Sequence, residues 1–455
     1  MRPVLISGKE FNYMKGIKFI TTMAATLFSA SAMAQVSLSE VYEQALVNDP
    51  TLTIQQLNSE TASAQVRSGR SELLPRVNAS ASYEVSGSCA GASLQFAPNF
   101  DDCQSVGARI TASQNIFALA AIDAYEALKL NATRAEIETE AARQTLMVRV
   151  AEAYVDVLRA QEARDSSASQ LRAVDRQFQQ TEQRYEVGLV TITDVLDAQA
   201  TLDQTRVALI RAESQYDIAL QNLYVLTGSV PESVLALSAD FPIVLPEDST
   251  VAEWVAFALD NHPDVLAAQK GLESGERELQ ARRNNRLPVV SANASINYGD
   301  DPTDGLDFED RVSSSISLSV SVPLYTGGAT QSQIVTTGLR NNIAEQQLEL
   351  LKRNIRVQVT NLYREVRTSV QNVSAQQQVV RSRESALQAT EVGYEVGTRN
   401  IVEVLNAQQA LFAARQAYAN ARFDYLLNNL RLKQAAGQLR QADLDNIDRF
   451  LVASQ

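Results

Sequence analysis
The side chains of this sequence that could do chemistry gather in one pattern written twice. Tyr185-Glu186-Val187-Gly188, then Ile192, Val195-Leu196 and Ala198-Gln199, return 209 positions later as Tyr394-Glu395-Val396-Gly397, Ile401, Val404-Leu405 and Ala407-Gln408. Polar residues follow each glycine: Thr193, Asp194 and Asp197 in the first copy, Arg399, Glu403 and Asn406 in the second. Thr191-x-x-Asp194 and Asn400-x-x-Glu403 read as capping boxes at the start of a returning helix, where acids also favour the helix dipole. Asp197 lies one turn deeper and needs no cap; its counterpart is Asn406. Glycine in each turn allows a sharp reversal and the close approach of another backbone.

Catalytic chemistry finds nothing comparable. The single histidine, His262, stands before Pro263 at the start of a helix, and its counterpart in the other half is Asp49. That placement reads as capping. No metal-ligand cluster, phosphate loop or nucleophile motif occurs, so no enzyme and no cofactor is expected.

The duplication extends beyond the turns and sets the elements that must position them. Leu146, Val150, Ala153 and Val157 stand 209 residues before Ile355, Val359, Leu362 and Val366, and Asn115-Ile116-Phe117 stands 208 before Pro323-Leu324-Tyr325. Ala45 to Pro50 and Leu74-Pro75 match Ala258 to Pro263 and Leu287-Pro288 at an offset of 213. The expected organisation is a signal peptide over 1–34 and a first repeat over 35–228 of a helix, two strands and a long helical hairpin. A linker or equatorial segment then covers 229–249, a second repeat 250–437 and a C-terminal tail 438–455.

Long helices are predicted over about 120–185 and 331–394, uninterrupted by proline, with shorter partners over about 191–226 and 400–436. At 1.5 Å per residue, roughly 65 residues make a rod of about 100 Å. Their apolar stripes keep coiled-coil spacing and are rich in small residues that permit close approach. Gly228 and Gly437 are the expected C-caps.

Four short segments alternate with period two: Val77 to Val85, Val106 to Ala112, Val290 to Tyr298 and Ile316 to Val322. Ordinary half-buried hairpins would alternate in the same way. Here one face is almost all Ser, Asn and Thr, and the other carries Ala and Val without the Phe and Leu density of a soluble core. Phe117 and Tyr325 sit just past corresponding strands, where an aromatic girdle would lie. These features favour a transmembrane β-strand, wet on one face and lipid-exposed on the other. Four strands cannot span a bilayer as an open sheet, because edge N–H and C=O groups would lack partners in hydrocarbon. Closure therefore takes several copies, eight strands from two or twelve from three.

Lys15 and Lys18, the apolar run Phe19 to Phe28 and Ala32-Met33-Ala34 form the export signal, with Met1 and Met14 as alternative starts. The whole chain carries a net charge of −13, and removal of 1–34 leaves −16, which argues against nucleic acid as a partner. No later segment has the apolar length of a membrane-spanning helix. Cys89 and Cys103 flank one polar loop; in an oxidising compartment a bridge there would contribute about 3 kcal/mol, and two unpaired thiols are the alternative.

The two turns, Val322-Pro323-Leu324-Tyr325-Thr326-Gly327-Gly328 after the last strand and the Leu-Pro pairs closely resemble the TolC family of outer-membrane efflux and type I secretion channels. The resemblance runs from about Leu38 to Leu444 in family order. It implies an α+β membrane protein in the outer membrane of a Gram-negative bacterium. The implied assembly is a homotrimer with a shared 12-stranded β-barrel, four strands per chain, continued by a 12-helix coiled-coil-like α-barrel across the periplasm, with a mixed equatorial region. Export would be passive, fed by an inner-membrane pump or ABC exporter through a periplasmic adaptor.

Carried over by motif, Arg399 and Tyr394 are the closing pair of the periplasmic gate, bonding Thr193 and Asp194 of neighbouring hairpins. Asp194, Asp197, Glu403 and Asn406 fall on acidic selectivity rings, the second weakened by the uncharged Asn406. Val187, Gly188, Leu189, Val396, Gly397 and Thr398 fall on the adaptor-docking tips. A soluble periplasmic adaptor or coiled-coil scaffold is the competing reading; it calls for one hairpin inside a split carrier domain, where this chain has two hairpins and four strands.

Overall fold
Two prolines divide the chain's leading helices. The computed structural model describes residues 35–86, 103–245, 250–299 and 311–453. Helices α1 (Leu38–Asn48) and α2 (Pro50–Ser71) open the first half, and α5 (Val251–Asn261) and α6 (Pro263–Asn284) the second. The single helix expected ahead of each strand pair is thus two. Pro50 and Pro263 lack an N–H and cannot continue a helix, yet suit its first position. Asp49 and His262 cap the new starts, accepting from Leu52 N at 2.8 Å and Asp264 N at 3.1 Å. His262 is therefore a cap, as its place before proline predicted.

Strands β1 (Arg76–Ser86) and β2 (Cys103–Phe117) follow, then the rod α3 (Leu119–Glu186) and its return α4 (Ile192–Thr227). After the short β3 (Ala236–Leu237), the order repeats through α5 and α6, β4 (Val289–Gly299), β5 (Arg311–Ser321), α7 (Ala329–Glu395) and α8 (Ile401–Ala435). Phe117 is the last residue of β2 rather than beyond it, because a bulge between Asn115 and Phe117 carries the pairing one residue further. Val322 falls outside β5, which ends ahead of Pro323.

The stretch 438–455, expected as a tail, contains helix α9 (Gln441–Asp448) and strand β6 (Leu451–Val452), and β6 pairs with β3. Asp448 accepts from the backbone N–H groups of Leu38 and Ser39 at 3.0 Å, tying the last helix to the first. Tyr154 and Tyr425 pin this equatorial layer to the rods: Tyr154 donates to the Leu235 carbonyl at 2.9 Å and Tyr425 to the Val244 carbonyl at 2.7 Å. The core lies beneath it, where Leu146, Val150 and Val157 of α3 pack with Leu223 of α4 and Leu430 of α8. In the second half Ile355, Val359, Val366 and Val373 of α7 pack against Tyr425 and Leu432. These are the predicted apolar stripes. Gly228 and Gly437 have φ of 70° and 71°, the left-handed conformation in which a helix ends.

One antiparallel sheet runs β1-β2-β4-β5. Its register puts the apolar sets together: Ala79 faces Ile110, Ile110 faces Ile296, and Ala294 faces Ile316. The polar sets share the other face, where Ser291 and Ser319 hydroxyls lie 2.8 Å apart and Ser295 and Ser315 2.9 Å. Among the described residues nothing covers the apolar face. Ile316 is 89% exposed and Leu318 69%, and β1 and β5 are each paired on one side only among the described residues. No described helix is long and apolar enough to cross a membrane. The export signal and Cys89 lie outside the described residues, as does the side chain of Cys103, so the bridge does too.

Candidate functional site
Each long hairpin reverses in the same few residues. Gly188 and Gly397 adopt φ of 75° and 79°, so the chain turns through a conformation that other residues rarely take. Leu189 N donates to the Arg184 carbonyl and Thr398 N to the Gly393 carbonyl, both at 2.8 Å, closing the orphan carbonyls of α3 and α7. A Cβ at either turning glycine would meet nothing within 4 Å. Val187, Leu189 and Val396 beside them are about 70% exposed, at 70%, 74% and 69%. These tips are thus apolar knobs open on every side within one chain.

Both capping boxes form. Thr191 accepts from Asp194 N while the Asp194 carboxylate accepts from Thr191 N at 2.8 Å, and Asn400 and Glu403 exchange the same bonds. Thr193 is exposed beside Asp194, and Asp197 and Asn406 point outward one turn further along α4 and α8.

Arg399 is engaged within its own turn, its guanidinium 2.5 Å from the Glu403 carboxylate. That bond, with help from the Asn400 backbone N–H, holds the Glu403 carboxyl below the usual range. Gly393 makes room for it, since a Cβ there would lie 2.7 Å from Arg399 Cγ. Tyr394 sits inside the tip cluster of Val174, Leu202, Ile401 and Val404, with Arg184 stacked 4.6 Å from its ring centre. Its hydroxyl is buried and has no hydrogen-bond partner among the described residues. The Arg399–Glu403 pair was legible as an i, i+4 spacing; the Arg184 stack joins two distant turns and carried no local signal.

Within one chain, then, Tyr394 and Arg399 lie on one turn, Thr193 and Asp194 on the other, and neither pair bonds the other. Among the described residues there is no group of His, Cys, Asp and Glu able to hold a metal ion.

The family model for outer membrane efflux protein matches residues 41–229 and 254–438. The chain belongs to that family. Its two matched blocks are the two halves of the duplication. Outer membrane protein TolC of Vibrio cholerae serotype O1 is 33% identical over 95% of this chain and 97% of its own. The TolC protein of Escherichia coli K12 is 30% identical over 92% of this chain and 85% of its own. Alkaline protease secretion protein AprF of Pseudomonas aeruginosa is 26% identical over 92% and 88%. Among solved structures, CusC superposes with a TM-score of 0.77 at 21% identity over 90% of this chain and 96% of that one. VceC of Vibrio cholerae gives 0.74 at 20% identity, over 88% and 96%. Family membership makes this chain an outer-membrane exit channel of the efflux or type I secretion kind, with the α+β channel fold, and not an enzyme. The soluble adaptor reading is set aside.

Proposed function
We propose that three copies of the chain close one twelve-stranded barrel and one tunnel of helices, through which cargo from an inner-membrane pump leaves the cell. The single observation that carries this is the uncovered apolar face of an open four-stranded sheet. Neither water nor lipid tolerates that sheet alone: water meets Ile316 and Leu318, and hydrocarbon meets the unpaired edges of β1 and β5. Pairing β5 of one copy with β1 of the next removes the free edges, and lipid around the closed barrel then covers the apolar face.

The duplication supports the same joint lower down. Within the chain β2 pairs with β4, and the helices that continue them pack together, with Ser274 donating to the Ala127 carbonyl at 2.9 Å and Asn284 to Asp123 at 2.6 Å. The helices that continue the free edges are α2, ahead of β1, and α7, after β5. They expose Ile54 and Leu57, and Val335, Leu339 and Ile343. The first junction is thus a template for one between copies. After a carbonate wash the protein is expected to stay in the outer-membrane fraction, and brief crosslinking should trap a trimer; a wash-soluble monomer would overturn the proposal.

At the far end, the tips of three copies form the periplasmic mouth. Asp194, Asp197 and Glu403 from each chain give an acidic field that draws cations. Arg399 and Tyr394 close the mouth against Thr193 and Asp194 of neighbouring hairpins. The exposed tips Val187-Gly188-Leu189 and Val396-Gly397-Thr398 receive a periplasmic adaptor. Replacing both Gly188 and Gly397 by Trp is expected to abolish export while trimers still assemble, measured as cargo efflux beside trimer yield. Normal efflux from the double variant would refute docking there.

The cargo class divides the relatives, among which AprF is a protease secretion protein and BepC an efflux protein. Both uses need the same passive duct, so the cargo assignment rests with the pump and adaptor that crosslink to these tips.

A further inference from the structure
We infer that Arg109 forms a cationic ring halfway along the barrel lumen that binds polyvalent anions, a second electrostatic checkpoint of opposite sign to the acidic mouth. The inference rests on the closed barrel proposed above. Arg109 belongs to the polar face of β2, opposite Ser80 midway along β1 and opposite Asn297 of β4. Its row across the sheet continues to Ser313, which pairs with Asn297. The row on one side runs Asn78, Thr111, Ser295, Ser315, all short and uncharged. On the other side the row runs Ser82, Gly107, Gly299 and Arg311; a Cβ at Gly299 would meet nothing within 4 Å, while the Ser82 hydroxyl lies 2.9 Å from where a Cβ of Gly107 would be.

Among the described side chains of this face, charge otherwise stands only near the ends of β1. Arg76 is held by Glu72 at 2.5 Å, and Glu84 lies two residues before the strand closes. Arg109 is exposed, and no hydrogen bond or ion pair engages it among the described residues. An arginine at a wet wall incurs no desolvation that a partner must offset, and its fork of N–H groups matches phosphate and carboxylate oxygens. The second half carries Ser317 at the matching 208-residue offset, so closure of three chains gives three such groups and not six. Three guanidinium groups converging on one axis focus a positive potential where cargo must pass.

The test uses the purified full-length trimer in planar bilayers, with sodium tripolyphosphate added on the barrel side. Wild-type channels are expected to be blocked in a concentration-dependent way. Arg109→Gln should require about tenfold more tripolyphosphate for half-block, and Arg109→Lys should keep most of the block. In a KCl gradient Arg109→Gln should also shift the reversal potential toward greater cation preference. Conducting wild-type channels indifferent to tripolyphosphate, or an Arg109→Gln channel blocked as readily as wild type, would overturn the ring and leave the barrel standing. If wild-type protein forms no channels at all, the barrel falls and the ring with it.

Discussion

Ile316→Arg is expected to remove the trimer from the outer membrane, whereas Ser317→Arg, one residue along, leaves it there. Ile316 lies midway along β5 on the apolar face and is 89% exposed within the chain. Ser317 pairs with Asn293 on the opposite, polar face. A strand that spans a bilayer has about ten residues, which puts Ile316 near the midplane. Arginine on the lipid face there costs about 2–4 kcal/mol per chain, hence on the order of 6–12 kcal/mol for three copies. That is comparable with the whole stability of an ordinary domain. In the wet lumen the same side chain stays hydrated and costs little. Trimer content of carbonate-washed outer membranes measures both, and equal yields for the two variants would show that the faces are not lipid and water.

Much of this architecture was legible because duplication and periodicity are local properties of a sequence. The four alternations placed the strands within a few residues, and their in-phase register followed once hairpin pairing aligned Ala79 with Ile110 and Ala294 with Ile316. Capping chemistry was equally local: Thr191 with Asp194 and Asn400 with Glu403 act across a single turn, and both boxes formed as read. What escaped the sequence depends on contacts between distant segments. The pairing of β3 with β6 joins Leu237 to Leu451, and two-residue strands carry no periodicity to detect. Asp448 reaches back to Leu38 across the whole chain. The break at Asp49-Pro50 and His262-Pro263 could have been found, since a proline preceded by a capping residue marks a new helix. Tyr394 was placed at the mouth by resemblance alone; its burial beneath Arg184, with an unsatisfied hydroxyl, required the two hairpins to be seen together.

Arg399→Ser is expected to raise single-channel conductance, and Glu403→Gln to lower it or leave the mouth more firmly shut. Within one chain Arg399, in the turn just ahead of α8, is taken by Glu403 in the first turn of that helix. A gate that uses Arg399 across hairpins must therefore exchange this partner for Asp194 of a neighbour, and the two carboxylates compete for one guanidinium. Removing the guanidinium abolishes the bond across the mouth. Charge-assisted bonds of this kind contribute about 1.5–3 kcal/mol, so losing one shifts the balance toward opening by roughly tenfold to a hundredfold. Removing the Glu403 charge acts oppositely, because Arg399 then has no strong partner within its own turn. Glu403→Gln also takes one acid from each chain's share of the mouth, which would reduce cation current through an open channel, so conductance is read with ion preference for both variants. If Arg399 serves only its own turn, Arg399→Ser loosens the tip without altering conductance, and the gate must be sought elsewhere. Ion preference is therefore the deciding readout: charge loss at the mouth alone moves conductance and cation preference together, whereas release of a gate raises conductance beyond what the change in preference accounts for.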